Sequence, residues 1–312
     1  MGPAVTTASP HVADARRGER GGARRKPSTG ALRAGLLFLL PAFALLVALR
    51  IVPMLGAIID SLKQGSMSLD GGHWVGLENF AYLFGDPNFR NVLVVTGVFL
   101  LITVPLQLAV ALFLALMLVE RVPGLGVVRV LVFIPVAAPA AVATVVWGIA
   151  YQPRGPINAL LERIGVPAQP FLTSTDQALL SIIVLMSWIG IGYWTLFLIA
   201  GLQDIPRELY EAAAIDGAGW WRAFASITLP NLRRTLAFVV VANTVSSVMA
   251  FVPIQILTQG GPAGSTRLIM YDLYNNTFQL GDINLGQTEV VVLLVFLTAV
   301  TAVQFRMLNR ER

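Results

Sequence analysis

The sequence has no cysteine, and among its 312 residues it has only two histidines and two lysines. Without cysteine, neither a disulfide framework nor a thiolate metal site is possible. The two histidines, His11 and His73, are too few for a histidine-based metal site. Neither Lys26 nor Lys63 stands in the Gly-Lys-Ser/Thr context of a nucleotide-binding P-loop. We therefore expect no metal site, no catalytic site and no bound ATP in this chain.

Charge is also scarce. Asp, Glu, Lys and Arg make up 12% of the chain, against about 25% in soluble domains. Hydrophobic residues make up 56%, and the mean hydropathy is +0.72. The net charge of +5 comes from arginines near the ends of the chain, without the aromatic-interleaved basic patch of a nucleic-acid-binding protein. The composition indicates an integral membrane protein with no nucleic-acid partner.

Six apolar runs are long enough to cross a bilayer as helices of about 20 residues. They cover roughly 32–60, 91–119, 129–150, 178–202, 232–256 and 285–305. Residues 1–30 are basic and lack apolar periodicity, which predicts a disordered tail. The expected fold is therefore all-α, with one transmembrane domain of six helices over residues 31–312.

Arginine placement predicts the orientation of these spans. Most arginines lie in the N-terminal tail, in the segments that follow spans two and four, and at the C-terminal end. Because positive residues concentrate on the cytoplasmic side, both termini and the 203–231 loop should be cytoplasmic. The middles of spans two to five contain no charged residue, which argues against a proton-driven pump.

The 203–231 loop contains the segment ELYEAAAIDGAGWWRAFASITLP, which is Glu208–Pro230. We predict a helix over 205–215 capped by Asp204, a left-handed turn at Gly217, and a second short helix over 219–227. On these grounds alone, two interpretations are open. The loop is either an amphipathic hairpin at the membrane surface or a docking element for a cytosolic partner.

The spacing of residues in this segment resembles the EAA loop of bacterial ABC importer permeases. The matching residues are Glu211, Ala212, Ala213, Asp216, Gly217, Ala218, Leu229 and Pro230. The resemblance implies that the loop couples the membrane domain to an ATPase subunit, with Glu211 meeting a basic residue there. It also implies the MetI-like permease fold, and it places ATP and Mg on two partner ATPases, leaving no cofactor in this chain.

Three further segments resemble the carbohydrate-uptake class of these permeases: Val75–Phe89, Val127–Leu161 and Gln255–Leu280. The resemblance implies a second, similar permease subunit, an extracytoplasmic solute-binding protein and a sugar-like substrate. It also implies a location in the bacterial inner membrane.

Polar residues within the apolar spans are the candidates for substrate binding. Span five supplies Asn243, Ser246 and Ser247, and span four supplies Gly190 and Tyr193. A sugar needs neutral hydrogen-bonding groups and a stacking surface, and these residues provide both. The alternative is that the polar side chains bond neighbouring helices.

The resulting prediction is the transmembrane subunit of an ATP-driven sugar importer, which is not itself an enzyme. A stand-alone secondary carrier and a membrane scaffold are the alternatives. A carrier needs its own ion-coupling residues, whereas a scaffold has no need of polar side chains inside span five.

Overall fold

A computed structural model describes residues 29–65, 72–119 and 124–309. The predicted tail therefore lies almost entirely outside the described residues. The chain divides into two compact units, Met1–Met54 and Leu55–Arg312. All the sites discussed below belong to the second unit.

Helices make up most of the described chain. In chain order the elements are α1 (Thr29–Leu46), α2 (Val52–Asp60), β1 (Lys63–Gln64), β2 (His73–Trp74), α3 (Glu78–Gly85), α4 (Pro87–Leu118), α5 (Leu125–Ala137), α6 (Ala140–Ala150), α7 (Pro156–Arg163), α8 (Ala178–Gln203), α9 (Arg207–Ile215), α10 (Trp220–Ala223), α11 (Leu229–Val248), α12 (Val252–Leu257), α13 (Ile269–Tyr274) and α14 (Ile283–Asn309). π-Helical turns cover Val47–Ile51, Phe224–Thr228 and Asn275–Gln279, and a 3₁₀ turn covers Phe171–Thr173. The two short strands pair antiparallel, with Lys63 opposite Trp74.

Five segments of the described chain are long and apolar enough to cross a membrane. They are Leu37–Asp60, Pro87–Leu118, Ala178–Gln203, Trp220–Leu257 and Ile283–Arg306. A sixth candidate is the pair α5 and α6, which is bent by 107°. The segment Trp220–Leu257 is longer than the run predicted over 232–256, because helical residues of the preceding loop lead into it.

The break between α5 and α6 differs from the single apolar run predicted over 129–150. Ala138 lies between the two helices with extended backbone, at ψ 131°, and Pro139 follows it. A proline disfavours the helical conformation of the residue before it and lacks the N–H that a continuous helix would use. The hydropathy of the sequence does not indicate this helix break, since α5 and α6 are both apolar.

Glycines allow the spanning helices to pack closely. A Cβ at Gly192 on α8 would overlap the backbone carbonyl of Val132 on α5. A Cβ at Gly201 on α8 would lie 2.9 Å from Leu232 Cδ1 on α11. Small residues at such crossings are the usual means of helix association in lipid, where apolar burial gives little driving force. The arrangement centres on α8, which packs against α4, α5 and α11.

Two apolar clusters occupy the interior of the second unit. One includes Val104 of α4, Ile183 of α8 and Val248 of α11. The other includes Ala111 of α4, Leu198 of α8 and Val239 of α11. On each helix a stretch of a few residues separates the two clusters. Polar side chains lie in that layer, and they form the site described next.

Candidate functional site

A cavity of about 600 Å³ lies between α4, α5, α8 and α11. Its polar lining consists of Gln107, Tyr193, Trp194, Asn243, Ser246 and Ser247. Apolar side chains such as Met186, Ile189 and Phe238 complete the wall. None of the lining residues in the described chain is charged. The cavity can therefore offer neutral hydrogen bonds and apolar or aromatic contact, but no ionic contact.

The predicted residues of span five lie at this cavity. Asn243 and Ser247 are almost fully buried, and Ser247 Oγ donates to Asn243 Oδ1 at 3.2 Å. Asn243 Nδ2 has no hydrogen-bond partner among the described residues. Ser246 is more exposed and also lines the cavity. An unpaired buried amide donor is unfavourable, so this arrangement favours a ligand that supplies an acceptor.

Thr244, the residue next to Asn243, bonds a neighbouring helix. Gln304 Nε2 on α14 donates to Thr244 Oγ1 at 2.8 Å. Thr244 does not line the cavity. The polar residues of span five thus divide between the two interpretations: Thr244 joins helices, whereas Asn243 and Ser247 border the cavity.

The predicted residues of span four also line the cavity. Tyr193 is 45% exposed and meets Trp194 edge-to-face, with ring centroids 4.9 Å apart. Its ring also packs against Phe197 at 5.1 Å. The neighbouring aromatic rings restrict Tyr193, which therefore presents a preorganised aromatic surface to the cavity. Gly190 leaves space for the side chain of Gln107, since a Cβ at position 190 would lie 2.8 Å from Gln107 Oε1.

Gln107 was not among the predicted site residues. Trp194 Nε1 donates to Gln107 Oε1 at 3.0 Å, across 87 positions of sequence. Gln107 Nε2 in turn donates to the backbone carbonyl of Met186 at 3.2 Å. A signal for Gln107 was present, because it is a lone amide inside the apolar run VPLQLAV. Polar residues inside a membrane helix are functional candidates.

The 203–231 loop forms two short helices joined by a glycine turn. Gly217 has φ 73°. Ala218 N–H donates to Ala213 O at 2.9 Å, and Gly217 N–H donates to Ala214 O at 3.1 Å. This pair of bonds is the Schellman motif, which requires a left-handed residue at the glycine position. The residue types of the segment thus determine the turn that separates α9 from α10.

The start of the first helix differs from the prediction. Asp204 does not cap α9; it ends α8, and Pro206 stands at the N-cap of α9 without a side-chain cap. Pro206 has extended backbone, at ψ 133°, so the chain turns at the proline two residues after Asp204. The helix begins at Arg207 instead of 205.

The outer surface of the loop is charged and aromatic. Glu211 and Asp216 are exposed, and neither forms an ion pair with another described residue. Ile215, Trp220 and Trp221 are exposed by 88%, 60% and 75%. Tyr210 and Thr228, whose hydroxyls lie 2.9 Å apart, join α9 to the turn before α11. The loop is thus tied at its base, with apolar and acidic side chains on its surface.

The remaining predicted loop residues are exposed or half-buried. Ala212, Leu229 and Pro230 are exposed, whereas Ala213 and Ala218 are half-buried. Pro230 lies in the first turn of α11, directly after the π-helical turn Phe224–Thr228. The two halves of the motif are therefore at the two ends of the same loop.

A buried carboxylate lies outside the cavity. Glu289 on α14 is fully buried and accepts a hydrogen bond from Asn276 Nδ2. The prediction of uncharged spans two to five did not cover this sixth span. Nearby in the sequence, Arg267 pairs with the buried carboxylate of Asp272. Glu289 bonds within the fold and does not line the cavity.

Comparison with known families identifies the class of protein. The model of the family described as "Binding-protein-dependent transport system inner membrane component" matches residues 36–311. The chain belongs to this family. The permease is thus a multi-pass protein of the bacterial inner membrane, and it has the predicted all-α fold. The cytoplasmic location of its termini stays a prediction. The family consists of transport components, so the prediction that the chain is not itself an enzyme is confirmed.

Named relatives cover most of the permease. The sn-glycerol-3-phosphate permease UgpA of Agrobacterium fabrum is 36% identical, over 81% of this chain and 88% of its own. The trehalose/maltose permease MalF of Thermococcus litoralis is 33% identical, over 88% and 93%. The lactose permease LacF of Rhizobium radiobacter is 31% identical, over 87% and 92%.

A solved structure has the same fold. The crystal structure of a bacterial ABC transporter involved in the import of the acidic polysaccharide alginate contains a chain with a TM-score of 0.72 to the permease. The match covers 90% of this chain and 97% of that one, at 22% identity.

Proposed function

We propose that this permease provides the substrate path of an ATP-driven importer for a neutral sugar or sugar-like solute. The observation that most supports this is the cavity, where the uncharged groups of Asn243, Ser247 and Tyr193 meet within one space. Neutral amides and hydroxyls suit hydroxyl groups, which both donate and accept. The aromatic ring of Tyr193 suits the apolar face of a sugar ring.

The cavity lining supports a neutral solute more than a phosphorylated one. The names of the relatives do not decide the substrate, since permeases named for sn-glycerol 3-phosphate are 35–36% identical and those named for trehalose/maltose and lactose are 33% and 31% identical. A phosphate is held most strongly by arginine or lysine. The cavity residues in the described chain include neither. The neutral lining therefore favours the disaccharide relatives as the guide to substrate.

The proposed importer has the permease as one of several subunits. A second, similar permease pairs with it, two ATPases bind on the cytoplasmic side, and a solute-binding protein delivers substrate from outside. The family's dependence on a binding protein supports the last of these. The Schellman turn and the exposed surface of Glu211, Ile215 and Trp221 support an ATPase docking role for the loop.

A stand-alone carrier receives less support. A carrier needs an ion-binding group that the substrate path can reach. The buried carboxylate of the last span, Glu289, bonds to Asn276 and lies apart from the cavity-lining residues. A membrane scaffold likewise gives no reason for an unpaired Asn243 amide within a cavity.

Uptake by the reconstituted complex tests the proposal. Proteoliposomes would contain the permease, its partner permease and the ATPases, with the binding protein on the outside. Maltose, trehalose and lactose would be the neutral probes, and sn-glycerol 3-phosphate the charged one. We expect ATP-dependent uptake of a neutral probe. Uptake that continues without ATP, or that is confined to sn-glycerol 3-phosphate, would contradict the proposal.

A further inference from the structure

Gln107 is the residue that α4 contributes to the cavity, and it is 2% exposed. Its terminal amide lies among three other lining residues. Oε1 accepts from Trp194 Nε1 at 3.0 Å, and Nε2 donates to Met186 O at 3.2 Å. A Cβ at Gly190 would lie 2.8 Å from the same oxygen. The amide is thus held at the cavity wall by groups of α8.

These partners also determine which way the amide points. An indole N–H can only donate, and a backbone carbonyl can only accept. Exchanging the oxygen and nitrogen of Gln107 would place N–H against N–H at Trp194 and oxygen against oxygen at Met186. The hydrogen-bond network therefore gives the orientation. A side chain fixed in this way is preorganised and would lose little freedom when it bound a ligand.

The fixed amide has hydrogen-bonding capacity left over. A primary amide has two N–H donors and two acceptor lone pairs. The bonds to Trp194 and Met186 use one of each, so one donor and one acceptor remain. Asn243 on α11 adds an Nδ2 without a partner among the described residues. Two amides on different helices thus border one cavity.

We infer that Gln107 is a specificity-determining residue that binds one hydroxyl group of the transported sugar. The inference rests on the proposed function and adds a contact from α4 to those from α8 and α11. A hydroxyl both donates and accepts, and it therefore matches the two positions that Gln107 leaves open. Because the residue is neutral, it would select for the position of a hydroxyl and not for charge.

The test compares Gln107→Met with the wild-type permease in the complete reconstituted importer. Methionine has a similar length without the amide. Uptake would be measured for whichever of maltose, trehalose and lactose the wild type transports best, and for the single-deoxy analogues of that sugar. The binding protein is the same in both complexes, so its own selectivity cancels in the ratio of wild-type to variant uptake.

The controls separate substrate contact from folding. Thr103→Val changes a fully buried hydroxyl one turn away on α4 that does not line the cavity. If Gln107→Met fails to assemble with the ATPases, Gln107→Glu takes its place in the same comparison. That variant keeps an acceptor for Trp194 and loses the amide donor.

We expect the Gln107 variant to lower uptake of the parent sugar about tenfold, the effect of one neutral hydrogen bond. That loss should disappear for the one analogue that lacks the bound hydroxyl, and Thr103→Val should retain wild-type uptake. If the variant loses uptake equally for the parent sugar and every analogue, Gln107 is a structural residue. If the variant loses no uptake of the parent sugar, Gln107 does not bind the substrate. If the wild type transports none of the sugars, the proposed function fails first.

Discussion

Asn243 and Ser247 lie one turn apart on α11, and Ser247 Oγ donates to Asn243 Oδ1 at 3.2 Å within the cavity. The bond directs the Asn243 amide nitrogen away from Ser247 and leaves that nitrogen unpaired among the described residues. The pair therefore places one buried amide at the cavity wall. The effect of removing this amide on sugar uptake can be measured.

Asn243→Leu should lower uptake of the transported sugar about tenfold while leaving the complex assembled, because one neutral hydrogen bond to substrate is lost. The matched control is Thr244→Val, which removes the acceptor of Gln304 outside the cavity. That control should lower thermal stability more than uptake. ATP-dependent uptake and co-purification with the ATPases are the measurements. If Asn243→Leu does not assemble, Asn243 is a helix-joining residue instead.

Glu211→Ala should uncouple ATP hydrolysis from transport while the permease still inserts. If Glu211 meets a basic residue in an ATPase cleft, loss of one partner of a desolvated pair costs about 2–5 kcal/mol. An exposed pair would be worth only about 0–1 kcal/mol. Glu208→Ala, one turn earlier on α9 and also exposed, is the control. Substrate-stimulated ATPase activity should fall in the first variant only; equal activity in both would assign Glu211 to the solvent-facing surface.

Gly217→Val should disrupt the same coupling through the backbone. The residue has φ 73°, a conformation that β-branched residues strongly disfavour. No atom lies within 4 Å of a Cβ built at this glycine, so the expected effect is conformational and not steric. Gly217→Asn should retain most ATPase stimulation, since asparagine tolerates the left-handed region. Wild-type activity in the valine variant would show that the turn has no role in docking.

Cysteine labelling would test the predicted orientation. The chain has no native cysteine, and Ala168 and Ala225 are both exposed. A membrane-impermeant thiol reagent added to intact cells should label Ala168→Cys. Ala225→Cys, in the coupling loop, should be labelled only after the cells are opened. The reverse pattern would overturn both the orientation and the docking role of the loop.

Removal of Arg267 should make stability depend more strongly on pH. Burial raises the pKa of Asp272 above its usual value of 3.8, and Arg267 counteracts part of that rise. Since the folded-state pKa is raised, the stability contribution of this carboxyl is full below the unfolded value and is lost as pH rises through the folded one. Arg267→Gln raises that pKa further and should cost about 1.5–3 kcal/mol near neutral pH.

Thermal unfolding in detergent at pH 5 and pH 8 would measure this effect. The Arg267→Gln variant should lose more stability relative to wild type at pH 8 than at pH 5. Adding Asp272→Asn to the variant should remove most of the difference, because no buried charge then remains. A loss of equal size at both pH values would mean that Arg267 acts through packing alone.

Several features of the permease could be predicted because each depends on a short segment. Whether a run such as 178–202 enters the bilayer is decided by its own hydropathy, and the structure has α8 at Ala178–Gln203. The turn at Gly217 follows from the residues beside it, since the Schellman motif closes within six positions. The predicted start of α9 was wrong, because Asp204 and Pro206 both mark helix boundaries and the helix begins after the proline.

The tertiary structure decided which polar residues share a space. Asn243 and Thr244 are neighbours in sequence, yet one borders the cavity and the other bonds α14. Their roles follow from the faces that adjacent helices present to α11, and a single-helix pattern does not contain that information. Gln107 shows the same limit, because its partner Trp194 is 87 positions away. The sequence by itself determined the spans and the loop turn through local hydropathy and backbone preference, whereas the cavity exists only where four helices meet.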